Sequence, residues 1–155
     1  MLNIIFVCTG NLCRSPVAEG VLRQRWAAMG RNDLAVSSMG IHGLDHQPAS
    51  KNAQLVCEEN GIDISAHLSR PLVYEELEAA HLVLGLERVH KEFINTFFPR
   101  FDDKVFLLGA WPQEATRKSN IADPMGQGMK AYRKAFEIIS NHVDRILPTL
   151  IEYFG

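Results

Sequence analysis

Short apolar runs alternate along the chain with longer stretches in which apolar residues recur every three or four positions. LNIIFV (2–7), LAVSSM (34–39), AHLVLG (80–85) and KVFLLG (104–109) are brief and bounded by turn-forming residues. That is the pattern of strands buried on both faces. Val17, Val21, Leu22 and Trp26 stripe one face of a helix from Ser15 to Met29. Ser15 is its expected N-cap, and Pro16 suits its first turn. Ala49, Ala53, Val56 and Cys57 stripe a second helix that Gly61 ends. Shorter helices are predicted over 74–79 and 87–97. The last helix runs from Met129 through Leu147, with Tyr132, Phe136, Ile139, Val143 and Ile146 inward. Pro148 is expected to end or kink it. Strands alternating with helices predict an α/β fold, a four-stranded parallel sheet with helices on both faces. Such sheets gather ligands at the carboxyl ends of their strands.

Length and charge narrow the picture. A chain of 155 residues favours one domain over 1–155. The net charge is −2, and there is no basic run, so nucleic acid is not an expected partner. No apolar stretch is long enough to span a bilayer. The N-terminal run is short, contains Asn3 and lacks a basic leader, unlike a signal peptide. Three cysteines form no disulfide framework, which fits a cytoplasmic protein.

The candidate chemistry sits in VCTGNLCRSP (7–16), between the first strand and the first helix. Gly10 and Asn11 tolerate left-handed backbone angles, so the loop can curl with its N–H groups inward. A curl that opens into a helix N-terminus is an anion cradle. Arg14 adds a planar fork that matches two phosphate oxygens. Cys8 looks into the same bowl, where these groups favour its thiolate, and Ser15 is placed to stabilise that thiolate as it leaves. Thiolate plus cradle points to phosphoryl transfer through sulfur. A zinc site lacks partner ligands, since neither Cys-x-x-Cys nor His-x-x-His is present. A flavodoxin-like turn, echoed by Thr9-Gly10-Asn11, leaves Cys8 and Arg14 unexplained. Asp123 follows the fourth strand and so reaches the same edge, with Pro124 restricting its backbone.

CTGNLCRSP at the N-terminus, HLSR (67–70) and Asp123-Pro124 together resemble the low-molecular-weight protein tyrosine phosphatases, over nearly the whole chain. The resemblance implies a cysteine nucleophile (Cys8), a phosphate clamp (Arg14) and a general acid (Asp123), with no metal and no cofactor. It implies substrate contacts from Thr9, Gly10, Asn11, Leu12, Cys13, Ser15, Leu44 and Met125. Asn11, Ser38 and His67 would form a supporting hydrogen-bond network, although His67 taken singly reads as a satisfied loop histidine. Cys13 is either a trap for oxidised Cys8, as a disulfide, or a loop-filling residue. Cys57 reads as core. His42 and His46 read as solvated, and His81, His90 and His142 have no motif support. Met125 stands where the family usually has an aromatic residue. Lacking the Trp-His pair, the chain is similar to the bacterial branch, whose substrates include autophosphorylated tyrosine kinases of polysaccharide export. Leu12, where related phosphoarginine phosphatases carry threonine, favours phosphotyrosine. Thioredoxin-coupled arsenate reductases share the loop but need downstream cysteines that residues 81–110 lack. A non-catalytic phosphotyrosine binder would need neither nucleophile nor acid. The expected assembly is a monomer or weak dimer.

Overall fold

A computed structural model describes residues 1–154. Four strands, β1 (Leu2–Cys8), β2 (Leu34–Gly40), β3 (Leu82–Gly85) and β4 (Val105–Leu107), form one parallel sheet in the order β2-β1-β3-β4. The helices are α1 (Arg14–Ala28), α2 (Lys51–Glu59), α3 (Tyr74–Ala79), α4 (Arg88–Phe97) and α5 (Met129–Phe154).

β1 is central, and alternate residues serve opposite layers. Ile4 and Phe6 pack with Val17, Leu22, Ile139 and Val143, beneath α1 and α5. Ile5 and Val7 pack with Leu77, Val83, Ile94 and Phe101, beneath α3 and α4. Period-two burial on both faces explains why β1 reads as a continuous apolar run.

The chain leaves β1 for β2 on one side of the sheet and later returns to β3 on the other. The carboxyl end of β1 is therefore a topological switch point, where the flanking loops diverge and leave a crevice. Cys8 ends that strand.

One local expectation is corrected and two are narrowed. Helix α1 begins at Arg14 with Cys13 as N-cap, and no side chain caps it. Ser15 is inside the helix, its hydroxyl committed to Cys8 and Asn11 instead. Of Gly10 and Asn11, only Asn11 takes a left-handed angle, with φ 59°. Pro148 does not end the last helix, which continues to Phe154. Its apolar face, Ile146 and Leu150 included, stays buried, and that packing offsets the backbone bond that proline forfeits. No described helix is long and apolar enough to cross a membrane.

Candidate active site

The loop from Cys8 to Arg14 separates its donors from its acceptors. The carbonyls of Cys8, Thr9, Leu12 and Cys13 accept from the amides of Ile41, His42, Ser50 and Val17. The Asn11 carbonyl accepts from His67 Nε2 at 2.7 Å. Among the described residues, no backbone N–H from Thr9 to Ser15 donates to a protein acceptor. Unpaired amides converging in a curl make an anion site. The close approach of β2 fixes this curl. A Cβ on Gly40 would lie 2.5 Å from Thr9 O and 3.0 Å from Asn11 N, so only glycine fits there.

Asn11 holds the loop from within. It is fully buried. Its Nδ2 donates to Ser15 Oγ at 2.8 Å and to Ser38 Oγ at 3.0 Å, and its Oδ1 accepts from the Arg70 amide at 3.0 Å. Ser38 passes its own proton to Glu19 Oε1 at 2.8 Å. These bonds meet the needs of an otherwise costly buried amide and lock its left-handed backbone. The expected trio of Asn11, Ser38 and His67 is brought together, with Arg70 and Glu19 joining it. Arg70 closes the HLSR segment that carries the resemblance, whereas Glu19 carries no sequence signal of its own.

Cys8 Sγ lies 2.8 Å from Ser15 Oγ. Arg14 is 2% exposed. Its Nη1 is held by Glu87 Oε2 at 2.5 Å and by the Ile121 carbonyl at 2.8 Å. Those two acceptors fix the plane of the guanidinium and leave its Nε and Nη2 edge for a ligand. Asp123 Oδ2 stands 3.6 Å from Nη2, on the half-exposed turn that enters α5.

A small depression is lined by Cys8, Gly10, Leu12, Cys13, Arg14, Asp123 and Met125. Met125 is 44% exposed at its rim. Leu44 is 52% exposed but does not line the depression, and neither does Thr9. Asn11 and Ser15 are enclosed, so their side chains serve the loop rather than a ligand.

Cys13 Sγ contacts Ser50 Oγ at 3.2 Å and Tyr132 Oη at 3.3 Å. Burial raises its pKa against the pull of those two bonds. Burial, then the Cys13 contact, pushes Tyr132 up to about 12. Cys57 is pushed up to about 12 by burial alone, as befits an unreactive core thiol.

Two further residues at the site were not found by sequence reasoning. Glu87 anchors Arg14, and the start of a helix just after a strand end was its only clue. His90 is fully buried. Its Nδ1 accepts the Glu87 amide at 2.9 Å, so the neutral ring carries its proton on Nε2, which donates to Thr9 Oγ1 at 3.0 Å. Burial and then the Arg14 charge depress its pKa to about 3.

Residues 3–153 match the family model described as low molecular weight phosphotyrosine protein phosphatase. The chain is similar to a protein-arginine-phosphatase of Geobacillus stearothermophilus, at 35% identity over 96% of this chain and 95% of that protein. It is 38% identical to the low molecular weight protein-tyrosine-phosphatase Ptp of Acinetobacter johnsonii, over 79% of each chain. The crystal structure of a low molecular weight protein tyrosine phosphatase from T. tengcongensis superposes with a TM-score of 0.89 at 34% identity, covering 97% of this chain and all of the other.

Proposed function

Because the chain belongs to the low-molecular-weight phosphotyrosine protein phosphatase family, a family of phosphoric monoester hydrolases, we propose that its residues divide a two-step hydrolysis of phosphotyrosine as follows. The observation that carries the assignment is Cys8 at the floor of a loop whose amides are unpaired, beside the free edge of Arg14. The loop amides and Arg14 hold the three equatorial oxygens of the phosphoryl group. Cys8 Sγ attacks phosphorus in line, forming the S–P bond as the P–O bond to the phenol breaks. Asp123, at the mouth of the depression, gives its proton to the departing phenolate. In the second step the Asp123 carboxylate takes a proton from water. The water oxygen attacks phosphorus, and the S–P bond breaks to return the Cys8 thiolate, which Ser15 receives with a hydrogen bond.

Leu12 and Met125 give the depression an apolar wall, which suits an aryl ring better than a guanidinium. Phosphotyrosine is therefore the preferred substrate, although an arginine-directed relative is similar over most of its length. The substrate is a phosphotyrosine protein, and an autophosphorylated tyrosine kinase of polysaccharide export is the specific candidate. Free, buried cysteines fit a reducing, cytoplasmic setting. The test is p-nitrophenyl phosphate turnover without metal under reducing conditions, wild type beside Cys8→Ser. Turnover abolished in the variant supports the assignment, and turnover that survives it rejects Cys8 as the nucleophile.

A further inference from the structure

Helix α4 starts at the active site, since Glu87, just before it, binds Arg14. Its inward residues are His90 and Ile94. One residue away from that face, Val89, Phe93 and Phe97 follow at four-residue spacing, so they share a stripe. Val89 is 49% exposed and Phe97 is 60% exposed. Phe93 stacks on Phe97 with ring centroids 4.7 Å apart. On its other side Phe93 meets His42 edge-on at 5.4 Å. The result is an aromatic cluster of His42, Phe93 and Phe97, with Val89 one turn up the helix, in which Phe93 rests partly on the core and Val89, Phe97 and His42 are exposed.

The strip is tied to the phosphate loop by hydrogen bonds. The amide of His42 donates to Thr9 O at 2.9 Å, and His90 binds the Thr9 side chain. Thr9 follows Cys8 directly. The strip is therefore joined to the loop at Thr9, the residue after Cys8, and α4 carries it away from there. Along the helix, Val89 to Phe97 covers about 12 Å at 1.5 Å per residue. About four residues of extended peptide span the same length. Exposed apolar area that continues from a reaction site into the surrounding surface has the character of a binding surface.

We propose that this strip of His42, Val89, Phe93 and Phe97 is the docking surface for the polypeptide around the phosphorylated residue, and that it selects apolar or aromatic side chains on one flank of that residue. The inference rests on the protein phosphatase reading above. The depression takes only the phosphorylated side chain, while a protein substrate must lay its flanking chain on neighbouring surface. The strip meets it with rigid rings that lose little entropy on contact.

The experiment compares two sets of phosphotyrosine peptides, one with leucine and phenylalanine flanks and one with serine flanks, each flank varied separately. The enzymes are wild type, Phe97→Ser and Val89→Ser. Both altered positions are exposed, and Phe93, which packs on the core, is left intact. The expected result is that wild type favours one apolar flank. Each variant then loses up to about tenfold in kcat/KM for that peptide, through KM. Turnover of p-nitrophenyl phosphate and of serine-flanked peptides is unchanged. Flank-independent kinetics in wild type, or variants that keep the preference, overturn the proposal. A change in self-association by sedimentation equilibrium without a change in peptide kinetics also overturns it, making the strip a contact between copies. Failure to hydrolyse any phosphotyrosine peptide while p-nitrophenyl phosphate is turned over rejects the protein phosphatase reading, and this proposal with it.

Discussion

Ser15 Oγ lies 2.8 Å from Cys8 Sγ and accepts a hydrogen bond from Asn11 Nδ2 at 2.8 Å. With its lone pair engaged, the hydroxyl has its own proton to give to sulfur. The direction of that bond is set at a distance. Ser38 donates to Glu19 and accepts from Asn11, so Asn11 can only donate to Ser15.

Ser15→Ala removes the donor that, in the proposed mechanism, receives the thiolate when the S–P bond breaks. A hydrogen bond to a charged group contributes about 1.5–3 kcal/mol, so kcat should fall about 10–100-fold. The loss should fall on the second step. Rapid-quench kinetics should then show a burst of phenol followed by slow turnover. Equal slowing of both steps would place Ser15 in a purely structural role.

Asp123→Asn keeps the shape of the turn but cannot donate a proton as an acid does. With p-nitrophenyl phosphate, kcat should drop by about 10²–10⁴-fold. The drop should shrink for phenols that leave readily and grow for poor leaving groups. A leaving-group series in kcat/KM, which reports the first step alone, checks this, and a uniform loss there would remove Asp123 from protonating the phenol.

Glu87→Gln keeps a hydrogen-bond acceptor for Arg14 Nη1 but removes the charge that pairs a guanidinium only 2% exposed. Leaving a buried cation short of its partner costs stability. The variant should be less stable by about 2 kcal/mol, discounted because Glu87 itself is partly exposed. Inhibition by inorganic phosphate should weaken as Arg14 loses its fixed plane. Urea unfolding and phosphate inhibition measure the two effects separately.

His90 gives a pH dependence with a definite sign. Its pKa in the fold is about 3, against 6.5 for the unperturbed group. Above pH 6.5 the ring is neutral in both states, and the stability of its bonds is fully present. As pH falls below that value the unfolded chain takes up a proton that the folded protein does not, so stability is lost down towards pH 3. By pH 5 the loss should reach about 2 kcal/mol. In His90→Asn that contribution to the pH dependence should vanish, which urea midpoints at pH 7 and pH 5 for the two proteins will show. The same slope in both would mean that His90 titrates in the fold as it does in the unfolded chain.

Much of the architecture follows from the sequence alone, because short apolar runs and three-to-four periodicity are local signals. LNIIFV reads as a buried strand, though only the sheet order makes it central, and CTGNLCRSP carries within nine residues the proposed nucleophile, a turn and the proposed phosphate clamp. Glu87 and His90 could not be read the same way. They lie more than seventy residues from Arg14 and Thr9 in the chain, and nothing in their local pattern sets them apart from ordinary helix-start residues. Only the pairing of β1 with β3 brings the first turn of α4 against the phosphate loop. Ser15 shows the same limit at short range. Its place before a helical stripe reads as a cap, but the tertiary fold puts Asn11 and Cys8 within reach of its hydroxyl, and those bonds take precedence. The sequence determined which chemical groups the protein possesses and the strand–loop–helix unit that displays them. The tertiary structure decided which partners orient those groups, because hydrogen bonds and ion pairs act over a few ångströms of space, whatever the separation along the chain.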